Sequence, residues 1–141
     1  VSLDPFLKEF ISSYQGAEGV EMVYSEGGDM KVQADREALR KILVNLMENA
    51  LEAMPRGGKI AIGCGRSGEF VEISLVDNGP GLPPEVQERL FEPYFSTKTN
   101  GTGLGLAISQ GLAREMGGEI RLGNRVGGRG VKAVVVLPIS G

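Results

Sequence analysis

The sequence predicts an α+β fold, a two-layer α/β sandwich with helices on one face of a mixed sheet. Two observations predict it. Segments with apolar residues every three or four positions alternate along the chain with short segments of period two, so helices and strands interleave. The length, 141 residues with 41% hydrophobic side chains, suits a single domain with one core.

Leu3 to Tyr14 places Leu3, Phe6, Leu7, Phe10 and Ile11 at helical spacing, with Asp4 and Pro5 in the first turn. Val20 to Ser25 and Met30 to Ala34 read as two short strands around the Gly27-Gly28 turn. Asp35 caps a long helix that runs to about Met54, where Pro55 and Gly57-Gly58 end it. Lys59 to Cys64 and Phe70 to Val76 alternate as paired strands around a Gly65 to Gly68 turn. Asn78 to Asn100 is a long connection with a short helix near Pro84 to Leu90, and connections this long are usually functional. Thr102 to Met116 is a helix stopped by Gly117-Gly118, and Glu119 to Leu122 and Val131 to Leu137 are the closing strands.

Composition narrows the chemistry. The net charge of −3 gives no nucleic-acid footprint, and no apolar run reaches the roughly 20 residues of a membrane span. Pro5, Lys8 and Glu9 interrupt any signal peptide, and the single cysteine, Cys64, fits a reducing, cytoplasmic setting. There is no histidine, which removes His-based acid–base catalysis, Ser/His/Asp triads and His-ligated metals. Glycine is abundant, 22 residues, about twice the average share.

Gly63 to Gly68 formally matches G-x-G-x-x-G, but a strand follows it where a dinucleotide site needs a helix, so it reads as a turn. "GTGLGL" at Gly101 to Leu106 opens a helix, where glycines admit close approach and free N–H groups attract phosphate. Taken alone it fits a hinge as well. Asp77, followed by Asn78-Gly79-Pro80-Gly81, sits at a strand end and could accept a hydrogen bond from an exocyclic amine such as that of adenine, although Asp-Asn-Gly is also ordinary turn chemistry. On the long helix Leu39, Leu43, Leu46, Ala50 and Ala53 make an apolar stripe. Asn45, Asn49 and Glu52 fall on the neighbouring stripe, and the amide oxygens suit Mg²⁺, a hard ion that keeps several waters, although taken alone the asparagines read more readily as solvent-exposed or hydrogen-bonded side chains. Phe91 to Lys98 mixes three aromatic rings with a cation, an arrangement that could pin a lid and reach phosphate.

Together, in this order and spacing, these segments resemble the ATP-binding catalytic domain of two-component sensor histidine kinases, within the wider nucleotide-binding family of DNA gyrase, mismatch-repair ATPases and a heat-shock chaperone. "NLMENALEAM" is similar to its asparagine box, "DNGPGLP" to its first glycine box, "FEPYFSTK" to its phenylalanine box and "GTGLGLAIS" to its second glycine box. "GGRGVKAVVVLP" resembles its closing glycine-strand segment, and the likeness spans nearly the whole chain. The resemblance implies a Bergerat-type sandwich of about five strands and about three helices, with an ATP lid at about 82–100. It implies ATP and Mg²⁺ as cofactors, Asn49 as the Mg²⁺ ligand, and Asn45 lining the phosphates. Asp77 would accept the adenine amine, Gly79, Gly81 and Leu82 would shape the base pocket, and Lys98 with Gly101, Thr102, Gly103, Leu104 and Gly105 would contact the triphosphate.

Three positions depart from the pattern. Asn45 stands where gyrase-like relatives carry a glutamate that activates water, and an amide is no base, so the pocket should hydrolyse ATP poorly alone. Glu52 is acidic near a position often basic, and Val131 replaces a common threonine. The family phosphorylates a histidine on a dimeric helical domain, and this chain has none to offer. The expectation is therefore a fragment of a longer kinase, monomeric by itself, whose parent is a homodimer carrying the histidine-bearing dimerisation domain and serving a response regulator; the parent could be membrane-anchored. Two rivals remain: a serine kinase of the anti-sigma type, and a nucleotide-binding switch that transfers nothing.

Overall fold

The computed structural model describes residues 1–14, 19–25, 27–28, 30–83, 105–125 and 128–140. Among these residues, three helices and five strands follow one another: α1 (Leu3–Ser12), β1 (Val20–Ser25), α2 (Arg36–Glu52), β2 (Gly58–Ser67), β3 (Phe70–Asp77), α3 (Gly105–Glu115), β4 (Glu119–Asn124) and β5 (Val131–Pro138). The sheet runs β1-β2-β3-β5-β4. β1 lies parallel to β2, and every other pair is antiparallel, so the sheet is mixed as expected.

Local chemistry explains the elements. Asp35 caps α2 by accepting the backbone N–H groups of Glu37 at 2.9 Å and Ala38 at 3.4 Å. β2 and β3 form a hairpin with Ser67 opposite Phe70, turned through Gly68 at φ +62°. That geometry settles the G-x-G-x-x-G match as strand and turn. Gly117 at φ +81° ends α3.

Ile60, Ile62, Ile73, Leu75, Val135 and Leu137 alternate onto one face of the sheet and share a core with Leu39, Leu43, Leu46 and Met47 of α2. The buried stripe of α1, from Leu3 to Ile11, joins the same core. α1 is tied to β1 by the Tyr24 hydroxyl, which donates to Asp4 Oδ1 at 2.6 Å. Edge strand β4 is covered from α3. The buried Gln110 side chain donates to the Ile120 carbonyl at 2.9 Å and accepts the Ile120 N–H at 2.7 Å, as a neighbouring strand would.

The segment from Met30 to Ala34 corrects the sequence reading. It makes no hairpin with β1, whose partner is β2 across the α2 crossover. Lys31 instead bridges Ser2, and Val32 bridges Ile139, so the segment threads between the two ends of the described chain. Its alternation is real: Val32 is buried in the common core, while its backbone pairs with the segments near the chain ends rather than with β1. The short helix expected near Pro84 to Leu90 lies outside the described residues.

Candidate functional site

Asp77 is the last residue of β3 and is only 4% exposed. Its Oδ1 accepts two backbone N–H groups, from Gly79 at 2.9 Å and from Val131 at 3.1 Å. Among the described residues no donor reaches Oδ2, and no fully buried side-chain polar atom lacks a partner. Oδ2 is therefore the oxygen left to face outward. The start of β5 closes against the same carboxylate: Gly130, at φ +118°, packs on the Asp77 carbonyl so tightly that no Cβ fits. A Cβ on Gly79 would lie 3.2 Å from Asp77 Oδ1 and 3.3 Å from Met54 Cγ, so Met54 flanks the turn. Asn78 points the other way and accepts the Lys59 N–H at 2.8 Å.

Beyond this turn Gly81 has φ +85°, a conformation that favours glycine. The next residue, Leu82, is held by Asn124 of β4, whose Oδ1 accepts the Leu82 N–H at 2.7 Å and whose Nδ2 donates to its carbonyl at 2.8 Å.

α2 leads away from this group toward a second one. Asn45 and Asn49 are half-buried, one turn apart on the same stripe. Asn45 Nδ2 donates to Ser109 Oγ of α3 at 3.1 Å, and Ser109 is 3% exposed. A Cβ on Gly105, the first residue of α3, would fall 2.7 Å from Asn45 Oδ1. Gly105 thus serves the close approach of α3 to α2, a role distinct from the phosphate contact expected of it. Met54, just past the C-terminal end of α2, lies against Gly79, and Asn45, in the middle of the helix, lies against Gly105, with Asn49 between them in the sequence.

The structure therefore gathers Asp77, Gly79, Gly81 and Leu82 into one corner and Asn45 and Gly105 into another, with α2 as the rail between. Glu52 is exposed near the end of that rail. Lys98, Gly101, Thr102, Gly103, Leu104 and the Phe91 to Lys98 segment lie outside the described residues. Sequence reasoning missed Ser109, Asn124 and the Val131 N–H. Only "GN" at the end of β4, a turn-prone pair before a glycine-rich stretch, hinted at Asn124.

Residues 34–141 match the family model for histidine kinase-, DNA gyrase B- and HSP90-like ATPases. The chain belongs to this ATPase family. This ATPase-family chain is 39% identical over 110 residues to the sensor histidine kinase ZraS of Salmonella typhimurium, covering 77% of the chain and 23% of the relative. It is 33% identical over 121 residues to sporulation kinase C of Bacillus subtilis, covering 86% of the chain and 28% of the relative. The chain thus spans about a quarter of the length of these curated relatives. Among solved structures it superposes on the catalytic domain of histidine kinase ThkA with a TM-score of 0.87 and 33% identity, covering 98% of this chain and 93% of that one. It also matches full-length ShkA, solved in complex with AMPPNP, with a TM-score of 0.85 and 28% identity over 99% of this chain and 30% of that one. A further match is ThkA in complex with the response regulator TrrA, with a TM-score of 0.83 and 29% identity over 99% of this chain and 41% of that one. The family expected from the boxes is the family found, and the five-stranded mixed sheet with three helices agrees with those catalytic domains. No helix among the described residues is long and apolar enough to cross a membrane.

Proposed function

We propose that this chain binds Mg-ATP and donates the γ-phosphoryl group to a histidine on a separate dimerisation domain of the same longer kinase, from which it passes to a response regulator. The observation that carries the reading is Asp77: a carboxylate at a strand end, fixed through Oδ1 by two backbone N–H groups, with Oδ2 turned outward. An acceptor held this way suits the exocyclic amine of adenine and opposes the carbonyl of guanine. The rail of α2 then suits the rest of the ligand. It carries Asn49 and Asn45 away from the base corner toward the start of α3, where the phosphates would lie.

The residues also fit Mg²⁺. Among the described residues no group of three His, Cys, Asp or Glu side chains could hold a metal alone. Mg²⁺ does not need one, because it takes ligands from an amide oxygen, waters and substrate phosphates. Bound there, it would neutralise charge on the phosphates as transfer proceeds. Asn49 is the residue of this chain that would hold it, with Asn45 kept in place by Ser109 and Gly105.

Transfer moves phosphorus from the β–γ bridging oxygen to an imidazole nitrogen, and ADP leaves. This chain holds no histidine, so the acceptor is elsewhere. The length of the curated relatives, about four times that of the match, supports a parent that supplies it. The ShkA complex with AMPPNP and the ThkA complex with TrrA support nucleotide and regulator as the partners.

The test mixes the chain with γ-labelled ATP and a histidine-bearing dimerisation fragment of its parent. Label that is lost in acid and kept in base marks a phosphohistidine and supports the reading. Acid-stable label on a hydroxyl residue would replace it with a serine kinase. Saturable ATP binding with no transfer would leave a nucleotide switch.

A further inference from the structure

The Asn124–Leu82 contact joins residues 42 positions apart, from the end of edge strand β4 to the loop that leaves Asp77. A carboxamide side chain carries the same acceptor and donor as a peptide group, so Asn124 pairs with both backbone groups of Leu82 at once. Gly81, just before, is held at φ +85°, and any Cβ there would come 3.0 Å from Asn124 Oδ1. The five-residue path from Asp77 to Leu82 is therefore pinned twice: near its start by Asp77 Oδ1 on the Gly79 N–H, and at its end by Asn124. We infer that Asn124 is a positioning residue for the nucleobase. It does not touch the ligand; it fixes the Gly81-Leu82 backbone that walls the base corner, at a set distance from the Asp77 oxygen that accepts the base amine. A shorter hydroxyl at this position could satisfy only one of the two Leu82 groups. The inference rests on the adenine reading of Asp77.

The test displaces a fluorescent ATP analogue from the 141-residue chain with adenosine and, separately, with Mg-ATP. Loss of two backbone hydrogen bonds in Asn124→Ala should weaken adenosine and Mg-ATP by the same factor, roughly five- to tenfold. Asn124→Asp keeps the acceptor for the Leu82 N–H and should fall between Asn124→Ala and the natural chain, which also covers the case in which Asn124→Ala fails to fold. Gln110→Met is the control. It removes an equal pair of hydrogen bonds from the same strand without touching Leu82, so it should lower the melting temperature and leave adenosine affinity unchanged. Unchanged affinities in Asn124→Ala, a loss confined to Mg-ATP, or an equal adenosine loss in Gln110→Met would each overturn the positioning role while the adenine reading stands. A natural chain that binds neither ligand would overturn the adenine reading, and this inference with it.

Discussion

A single side chain, Asp77, separates the two demands made on this domain. Its Oδ1 belongs to the fold, since it gathers the Gly79 turn and the start of β5. Its Oδ2, which no described donor reaches, is the oxygen proposed to accept the base amine. Asp77→Asn divides the two cleanly: an amide oxygen can still accept from Gly79 and Val131, but the outward atom becomes an N–H₂ facing the base amine, donor against donor. Buried polar groups left unpaired in this way reject a ligand strongly. Calorimetry should show Mg-ATP affinity reduced about a hundredfold or more, with the circular dichroism spectrum unchanged. Undiminished affinity would sink the adenine assignment. The place of Asp77 at a strand end was legible in the sequence, although Asp-Asn-Gly alone reads as ordinary turn chemistry and only the boxes together pointed to a ligand. Asn124 and Ser109 were not, because each acts on a residue more than 40 positions away and neither changes the local pattern around it.

At the scale of elements, periodicity served well wherever an element's partner did not matter. Among the described residues the three helices and five strands sit within a few residues of their expected bounds, since apolar spacing and glycine stops report which face is buried. Pairing is another matter. The alternation of Val20 to Ser25 and Met30 to Ala34 around two glycines is the pattern of a hairpin, yet β1 takes β2 as a parallel neighbour through α2. Nothing local distinguishes a strand paired next door from one paired 38 residues later, Val20 with Gly58. The α2 crossover makes the start of that helix consequential, because α2 also carries Asn45, Asn49 and the approach to Asp77. Asp35 accepts two of the helix's free N–H groups, and its own N–H lies 3.3 Å from Met116 Sδ. Asp35→Ala should therefore cost about 1 kcal/mol in chemical denaturation, with the slope of the transition unchanged. A cost near zero would mean that packing alone sets the start of α2.

For the molecule as a whole, the perturbed groups among the described residues predict how stability responds to pH. At the acid end, the Tyr24 hydroxyl first, and Lys8 second, hold the Asp4 carboxyl below its ordinary value. A depressed carboxyl contributes stability above its unfolded pKa and loses it as pH falls through the folded one, so this contribution fades below about pH 4. At the alkaline end, burial pushes the Cys64 thiol up, against a weaker opposing hydrogen bond from the Gly27 backbone. Burial also raises the Tyr14 phenol, reinforced by the negative charge of Glu48. Both groups are neutral in the fold. Unfolding frees them to ionise at lower pH, so stability they contribute is present below their unfolded values and lost above about pH 9. Between these limits the chain has no histidine to titrate. The melting temperature should hold a plateau from about pH 5 to about pH 8 and fall on either side. Tyr24→Phe should lower the plateau and flatten the acid limb, because Asp4 then returns toward its ordinary value and less stability remains to be lost on protonation. A melting curve with an inflection near neutral pH, or an acid limb unaltered in Tyr24→Phe, would show that the α1–β1 tie does not govern the acid response.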